Sequence, residues 1–174
     1  MRVALATSVL ALGVAVAGSA APAQAARNPT RSQIARAVRK ATASPSLWAT
    51  VNICDTKRQP HTLGIRAQMP ALGFPSWLSL RIQVNYYSSS KRRFLPISTG
   101  SMLIRLGRSS HGLQQAGATL AFKPHTGLLN ARVRFIWRRS GRLLGQTERR
   151  TTAGHPRADF GSPPHYSAKQ CRIR

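Results

Sequence analysis

The sequence predicts an all-β protein: a seven-stranded antiparallel sandwich of the immunoglobulin or fibronectin type III kind, with a short N-terminal helix and a disulfide-tethered C-terminal tail. Three observations support this prediction. From Leu47 onward, apolar residues recur with a period of two for about a hundred residues. Gly and Pro residues divide this region at intervals typical of antiparallel sheets. No helical period separates the runs, which disfavours a parallel sheet, and a small barrel is the alternative.

The chain begins with a segment that has the form of an export signal. Arg2 precedes an apolar run from about Val3 to Val16, and Ala23-Gln24-Ala25 has the small-x-small form that signal peptidase reads. We expect residues 1–25 to be a signal peptide cleaved near Ala25, which gives a secreted, extracellular protein. The run is shorter than the roughly 20 residues of a bilayer span, so no transmembrane segment is expected in the mature chain. An uncleaved membrane anchor is the alternative.

Residues 26–46 predict a basic helical segment. Thr30 can cap the helix and Gln33 follows three positions later, as a capping box requires. Ile34, Val38 and Ala41 then share one face, which predicts packing against one end of a sheet, with a membrane-surface role as the alternative. Basic residues occupy most of the remaining surface: Arg31, Arg36, Arg39 and Lys40.

Seven period-two runs predict the strands of a domain over residues 47–152. They are LWATVNIC, TLGIRAQM, WLSLRIQVNYY, SMLIRLG, ATLAFK, GLLNARVRFIWRR and RLLGQTERRTT. The clearest runs place these residues in the core: Leu78, Leu80, Ile82, Val84 and Tyr86 of the third, and Leu129, Ala131, Val133, Phe135 and Trp137 of the sixth. LPISTG, residues 95–100, is predicted to be a loop.

The last 22 residues, 153–174, predict an irregular tail because Pro and Gly are frequent there. Cys54 ends the first predicted strand and Cys171 lies in this tail. Cysteines of exported proteins tend to form disulfides, and two cysteines allow one intrachain bridge. We expect Cys54 and Cys171 to be bonded, which would fasten the tail to the first strand, with two unpaired buried thiols as the alternative.

The arrangement LWATVNICDT, TLGIRAQMP, a long strand and a tail closing with CRIR resembles small secreted actinobacterial proteins of unknown function. The resemblance covers about residues 47–174 and includes no motif of known chemistry. It implies a secreted β-sandwich and supplies no catalytic residues.

Positive charge is the most unusual property of the composition. Without Arg2, 26 basic residues face only three acids, Asp55, Glu148 and Asp159, for a formal charge of +23. Charge of this density attracts polyanions. Period-two alternation and a basic loop predict an anion-binding surface that consists of Arg66, Arg81, Lys91, Arg92, Arg93, Arg132, Arg134 and Arg138. A solvated basic face without a dedicated ligand is the alternative.

Catalytic and metal-binding patterns are not found in the sequence. Three acids leave little for acid/base chemistry, the five histidines have no zinc-ligand spacing, and no Gly-x-Ser-x-Gly elbow or glycine-rich phosphate loop occurs. No catalytic residue, metal ligand or cofactor is therefore predicted.

Three functions follow as expectations. The first is an exported, non-catalytic binding or adhesion module that contacts anionic polymers or the cell envelope, and binds nucleic acid only non-specifically. The second is a structural domain with an unknown protein partner and incidental charge, and the third is an unrecognised secreted hydrolase.

Overall fold

The strands and the helix follow the sequence pattern closely. The computed structural model describes residues 28–124 and 126–174, and the predicted signal peptide lies outside them. The elements, in chain order, are α1 (Arg31–Thr42), β1 (Trp48–Thr56), β2 (Gln59–Pro70), β3 (Ser76–Ser88), β4 (Arg93–Ser109), β5 (Leu113–Ala121), β6 (Gly127–Arg139), β7 (Arg142–Arg150) and β8 (Cys171–Ile173).

The predicted helix α1 is present with its capping box. Thr30 Oγ1 accepts a hydrogen bond from the Gln33 amide at 3.3 Å, and Gln33 Oε1 accepts one from the Thr30 amide at 2.8 Å. These bonds satisfy two amides that the first turn leaves without helical partners. The helix packs on β7, where a Cβ at Gly145 would collide with Val38. Gly145 therefore permits the close approach of α1 to the sheet.

Two antiparallel sheets form the body of the protein. One has three strands in the order β1-β2-β5, and the other has five, with the path β4-β3-β6-β7 and β8 on the β7 side of β6. Both sheets have free edges among the described residues, which makes the architecture a pair of sheets rather than a closed barrel. All seven predicted strands are present, and β8 is an additional one.

The core lies between the two sheets and follows the predicted alternation. The three-stranded sheet contributes Leu63, Ile65 and Met69, each at most 1% exposed. Residues of the five-stranded sheet complete the same buried cluster: Leu78, Leu80, Ile82, Val84, Leu129, Ala131, Val133, Phe135 and Trp137. Trp137 also donates its indole hydrogen to the Pro70 carbonyl at 2.9 Å, which links the two sheets.

The tail runs across the outer side of the three-stranded sheet. Cys54 and Cys171 are bonded, with Cα atoms 5.3 Å apart, as the sequence predicted. The tail also pairs antiparallel with β1, because the amides of Val51 and Ala168 each donate to the other's carbonyl at 2.9 Å. This pairing covers the edge of β1. The tail is not irregular throughout, since Cys171–Ile173 forms β8 against β6.

Two further predictions about the strands are wrong. Tyr86 is exposed and Asn85 is buried, where it donates to the Asn130 side chain at 3.0 Å. The β4 register shifts beside this point, between the partners of Gln83 and Asn85, and the predicted alternation ends there. For the same reason LPISTG is not a separate loop: β4 includes it and accommodates the shift within it.

The helix content is small, and α1 has only 12 residues. In the part of the chain that the structure describes, no helix has the length and apolar character needed to cross a membrane.

Candidate anion-binding face

The outer side of the five-stranded sheet carries the largest group of predicted anion-binding residues. Arg132 and Arg134 alternate along β6 with the buried Val133, so both point away from the core. Arg81 on β3 lies directly opposite Arg134. We call this surface the basic face and define it by Arg81, Arg105, Arg132, Arg134 and Arg150.

Pairing across the strands places like charges next to each other on the basic face. One row joins Arg81 on β3, Arg134 on β6 and Glu148 on β7, and the next row joins Gln83, Arg132 and Arg150. Side chains directly opposite in an antiparallel pair lie about 4.5–5.5 Å apart at Cβ, and like charges there are destabilising. The basic face therefore has two cross-strand arginine pairs in adjacent rows.

A register irregularity in the β6–β7 hairpin produces this arrangement. Arg138 pairs with Leu143, whereas Trp137 pairs with Gly145, so Leu144 is an extra residue on β7. Regular pairing from the turn would place Arg149 opposite Arg132. The bulge instead brings Arg150 and Glu148 to the outer side and turns Arg149 inward, where it donates to the Thr42 carbonyl at 2.6 Å.

Two neighbouring depressions lie on the basic face. The first has a volume of about 270 Å³ and the second about 390 Å³. Residues lining the first are Arg81, Gln83, Asn85, Phe94, Pro96, Ser101, Arg132, Arg134 and Glu148. Residues lining the second are Tyr87, Arg92, Arg93, Phe94, Asn130, Arg132 and Arg150. Arg132 and Phe94 belong to both, so the two depressions adjoin.

Glu148 is the acid of the first depression. Its two carboxylate oxygens lie 3.6 Å from Arg132 Nη1 and 3.6 Å from Arg134 Nη2. All three side chains are 40–47% exposed, which leaves them accessible to solvent. One carboxylate thus bridges two guanidinium groups of the same strand.

The β3–β4 turn supplies the basic and aromatic groups of the second depression. Ser88 Oγ accepts from the Lys91 amide at 3.3 Å, and Arg92 adopts a positive φ of 50°, which reverses the chain before Arg93. Beside it, Tyr87 and Phe94 contact edge to face with ring centroids 5.4 Å apart. Aromatic rings beside guanidinium groups suit anionic ligands that also carry apolar surface.

Trp77 lies at the opposite end of the outer side, between Arg108 on β4 and Arg138 on β6. It is 54% exposed, whereas Trp48 and Trp137 are 8% and 0% exposed. Trp77 is therefore the solvent-accessible tryptophan of the three in this chain.

The eight residues predicted to bind anions divide into three groups. Arg81, Arg92, Arg93, Arg132 and Arg134 line the two depressions. Arg138 shares their side of the sheet but lies at its far end and donates to the Gly141 carbonyl at 3.1 Å, while Lys91 is exposed in the turn without lining either depression.

Arg66 does not belong to the same surface. It lies on the three-stranded sheet, half-covered by the tail, with its guanidinium 4.8 Å from the Phe160 ring centre. Burial lowers the pKa of Arg66, and the nearby Asp159 carboxylate opposes this shift only in part. Arg66 therefore lies on a different surface from the other seven predicted residues, because β2 and β6 belong to different sheets.

Sequence reasoning did not place Arg105 and Glu148 on this surface, and it gave no orientation for Arg150 beside the last hairpin. Alternation of the β4 core positions Met102, Ile104 and Leu106 would have indicated Arg105. Glu148 and Arg150 had no comparable signal, because their orientation depends on the bulge at Leu144.

The remaining acids hold other parts of the fold. Asp55 accepts hydrogen bonds from the His61 and Arg174 amides at 2.7 and 2.8 Å, and these bonds lower the pKa of its carboxyl. Asp159 lies in the tail, where its carbonyl accepts from the Asn52 side chain at 2.8 Å. Across the described ranges, no three His, Cys, Asp or Glu side chains are grouped as metal ligands.

Comparisons with known proteins show little similarity. No protein-family model matches the chain, and no curated protein sequence does. A solved structure described as "putative beta-galactosidase from bacteroides fragilis" is similar at 14% identity and a TM-score of 0.33. The match covers 64% of this chain and 17% of that one, so the chain spans about a sixth of that protein's length. A similarity this weak carries no argument about fold or function.

Proposed function

We propose that the protein is an exported, non-catalytic binding module whose basic face contacts anionic polymers of the cell envelope. The observation that carries this proposal is the pair of facing arginine pairs, Arg81 with Arg134 and Arg132 with Arg150, in adjacent rows. Like charges placed opposite each other raise the free energy of the folded state, and a bound anion relieves that repulsion.

A polymer suits this face better than a single small ion. Successive arginines on β6 are about 6–7 Å apart and neighbouring strands about 4.8 Å apart, so the guanidinium groups form a grid. Each guanidinium can pair with a carboxylate, sulfate or phosphate through two hydrogen bonds. A chain of repeated oxyanions can therefore contact several grid points at once.

The proposal also includes export of the protein and the type of its β-sandwich. The N-terminal segment has the form of a signal peptide, and the disulfide is the kind of bond that persists outside the cytoplasm. We infer that the sandwich is of the fibronectin type III kind: the immunoglobulin constant arrangement places the fourth strand beside the fifth, whereas β4 here pairs with β3. The resemblance to secreted actinobacterial proteins agrees with both inferences.

The experiment is a binding titration of residues 26–174 with heparin, anionic vesicles and a DNA duplex at several salt concentrations. Acrylamide quenching of Trp77 fluorescence reports binding on this side of the sheet, because the buried Trp48 and Trp137 are shielded from the quencher. The test variant changes Arg81, Arg132 and Arg134 to Gln. The control variant changes Arg31, Arg36 and Arg39, which are exposed on α1, to Gln and loses the same charge.

We expect the wild type to bind all three polyanions, with affinity that falls linearly with salt on logarithmic axes. The test variant should lose roughly tenfold or more in affinity, and its salt dependence should be shallower by about 0.9 for each lost phosphate contact. The control should resemble the wild type. Equal losses in the two variants would show that total charge, rather than this face, determines binding.

A further inference from the structure

The basic face already contains an anion, and that anion belongs to the protein. Glu148 contacts Arg132 and Arg134 with 3.6 Å between the closest atoms of each pair, inside the first depression. The chain has three acids, and the other two, Asp55 and Asp159, contact other parts of the fold. Glu148 is thus placed where a ligand's oxyanion would pair with the same two guanidinium groups.

A tethered carboxylate is a strong competitor against small anions. Its effective concentration at Arg132 and Arg134 is on the order of millimolar or higher, because β7 holds it directly opposite β6. A dilute free phosphate or carboxylate offers the same contacts without the tether and does not displace it. A polymer differs because it can first bind the second depression, where Arg92, Arg93 and Arg150 face no acid of the lining set.

We propose that Glu148 is a built-in competitor that restricts the basic face to multivalent anions. This inference rests on the proposed function. A polyanion bound at the second depression holds its next oxyanion close to the first depression. That oxyanion then displaces Glu148 from Arg132 and Arg134. Small anions gain no such advantage, so the site selects polymers over monomers by charge multiplicity.

The test compares Glu148→Gln with Asp159→Asn, two variants with the same net charge. Asp159 lies on the tail over the other sheet, and the two sheets are about 10 Å apart. That distance exceeds the screening length of about 8 Å at physiological salt, so the control charge should act weakly on the basic face. The probes are heparin for the polymer and inorganic phosphate for the monomer, measured by calorimetry.

We expect Glu148→Gln to raise affinity for phosphate by roughly two- to tenfold, the effect of removing two exposed ion pairs. The gain for heparin should be smaller, because heparin already binds the wild type through the second depression. The affinity of Asp159→Asn for both probes should stay within about twofold of the wild type, because salt screens its charge from the basic face. The salt dependence for heparin should be steeper in Glu148→Gln, because the freed arginines then carry counterions that binding releases. Added to a chain that already has Arg132→Gln and Arg134→Gln, the Glu148→Gln change should give no gain over Asp159→Asn.

A merely structural Glu148 would behave differently. It would lower the thermal midpoint when replaced by Gln and leave heparin and phosphate affinity at the wild-type value, and that result overturns the inference. Equal gains in Glu148→Gln and Asp159→Asn also overturn it, while the proposed function stands. If neither the wild type nor Glu148→Gln binds heparin at low salt, the proposed function itself fails.

Discussion

The outer sides of the two sheets differ in what covers them. On the three-stranded sheet, the tail buries alternate residues of β1 that would otherwise face solvent: Trp48 stacks on His155 at 4.6 Å, and Thr50 Oγ1 lies 2.8 Å from Ser167 Oγ. On the five-stranded sheet, the corresponding positions of β6 are exposed arginines. One outer side is therefore used for stability, and the other is left accessible.

This difference shows how a strongly basic chain can fold. The strands of the tail-covered sheet contain one arginine, Arg66, which packs under Phe160 beside Asp159, whereas five arginines define the basic face. Repulsion on the basic face is balanced by burial elsewhere, above all in the core that both sheets share.

The largest expected effect is in the shared core. Phe135 is fully buried on β6, between Arg134 and Ile136 in sequence. Phe135→Ala should lower the free energy of unfolding by about 3–5 kcal/mol through lost burial and a residual cavity. Denaturant titration measures this change. A loss below 1 kcal/mol would contradict the assignment of β6 to the centre of the core.

Removing the Cys54–Cys171 disulfide should affect the tail-covered side and leave ligand binding at the basic face nearly unchanged. The double variant Cys54→Ser/Cys171→Ser releases a loop closed over 117 residues and should lose about 2–4 kcal/mol of unfolding free energy. Trp48 should become accessible to acrylamide because the tail no longer holds His155 against it. Heparin affinity of the folded variant should stay within about twofold, since neither cysteine lines the two depressions and Cys171 pairs with the buried Leu129 of β6. A large loss of affinity would show that the tail contributes to the site.

The sequence predicted the five-stranded sheet better than it predicted the tail that covers the other sheet. Alternation along β3 as far as Val84, and along β6 from Ala131, was sufficient to predict the core and the outward arginines, because burial of one side enforces a period of two. The cysteine pair was predicted because no other pairing exists. Two features of the tail were not predicted: its bridge to β1 and its strand β8. Their partners are distant in sequence, and Pro and Gly mask any period in the tail.

The bulge at Leu144 limited the prediction of the site. Counting from the Ser140-Gly141 turn places Arg149 opposite Arg132, and one extra residue inverts which β7 side chains face outward. No local residue pattern in RLLGQTERR distinguishes the bulged from the regular pairing.

Acidification should weaken the tail-covered side first. Burial against Trp48 lowers the pKa of His155 below its usual value of 6.5. As pH falls through 6.5, the unfolded chain binds a proton that the folded chain does not, so the free energy of unfolding decreases until the folded pKa is passed. His155→Phe keeps the stacked ring and should remove this part of the pH dependence. Identical slopes for wild type and variant between pH 7 and about 5 would contradict the assignment.

The smallest expected effect has the opposite sign and tests the basic face directly. Arg81 lies opposite Arg134, so Arg81→Thr removes one member of a like-charged pair and should raise the free energy of unfolding by about 0.2–1 kcal/mol. The gain should shrink with added salt because screening weakens the repulsion. Arg105→Thr is the matched control, since Arg105 faces Ser79 rather than another arginine.

Heparin affinity should fall in Arg81→Thr while stability rises, because the charge density that destabilises the folded state also attracts the ligand. Equal stability changes in the two variants would show that the facing pair carries no repulsion of its own, and would remove the observation on which the proposed function rests.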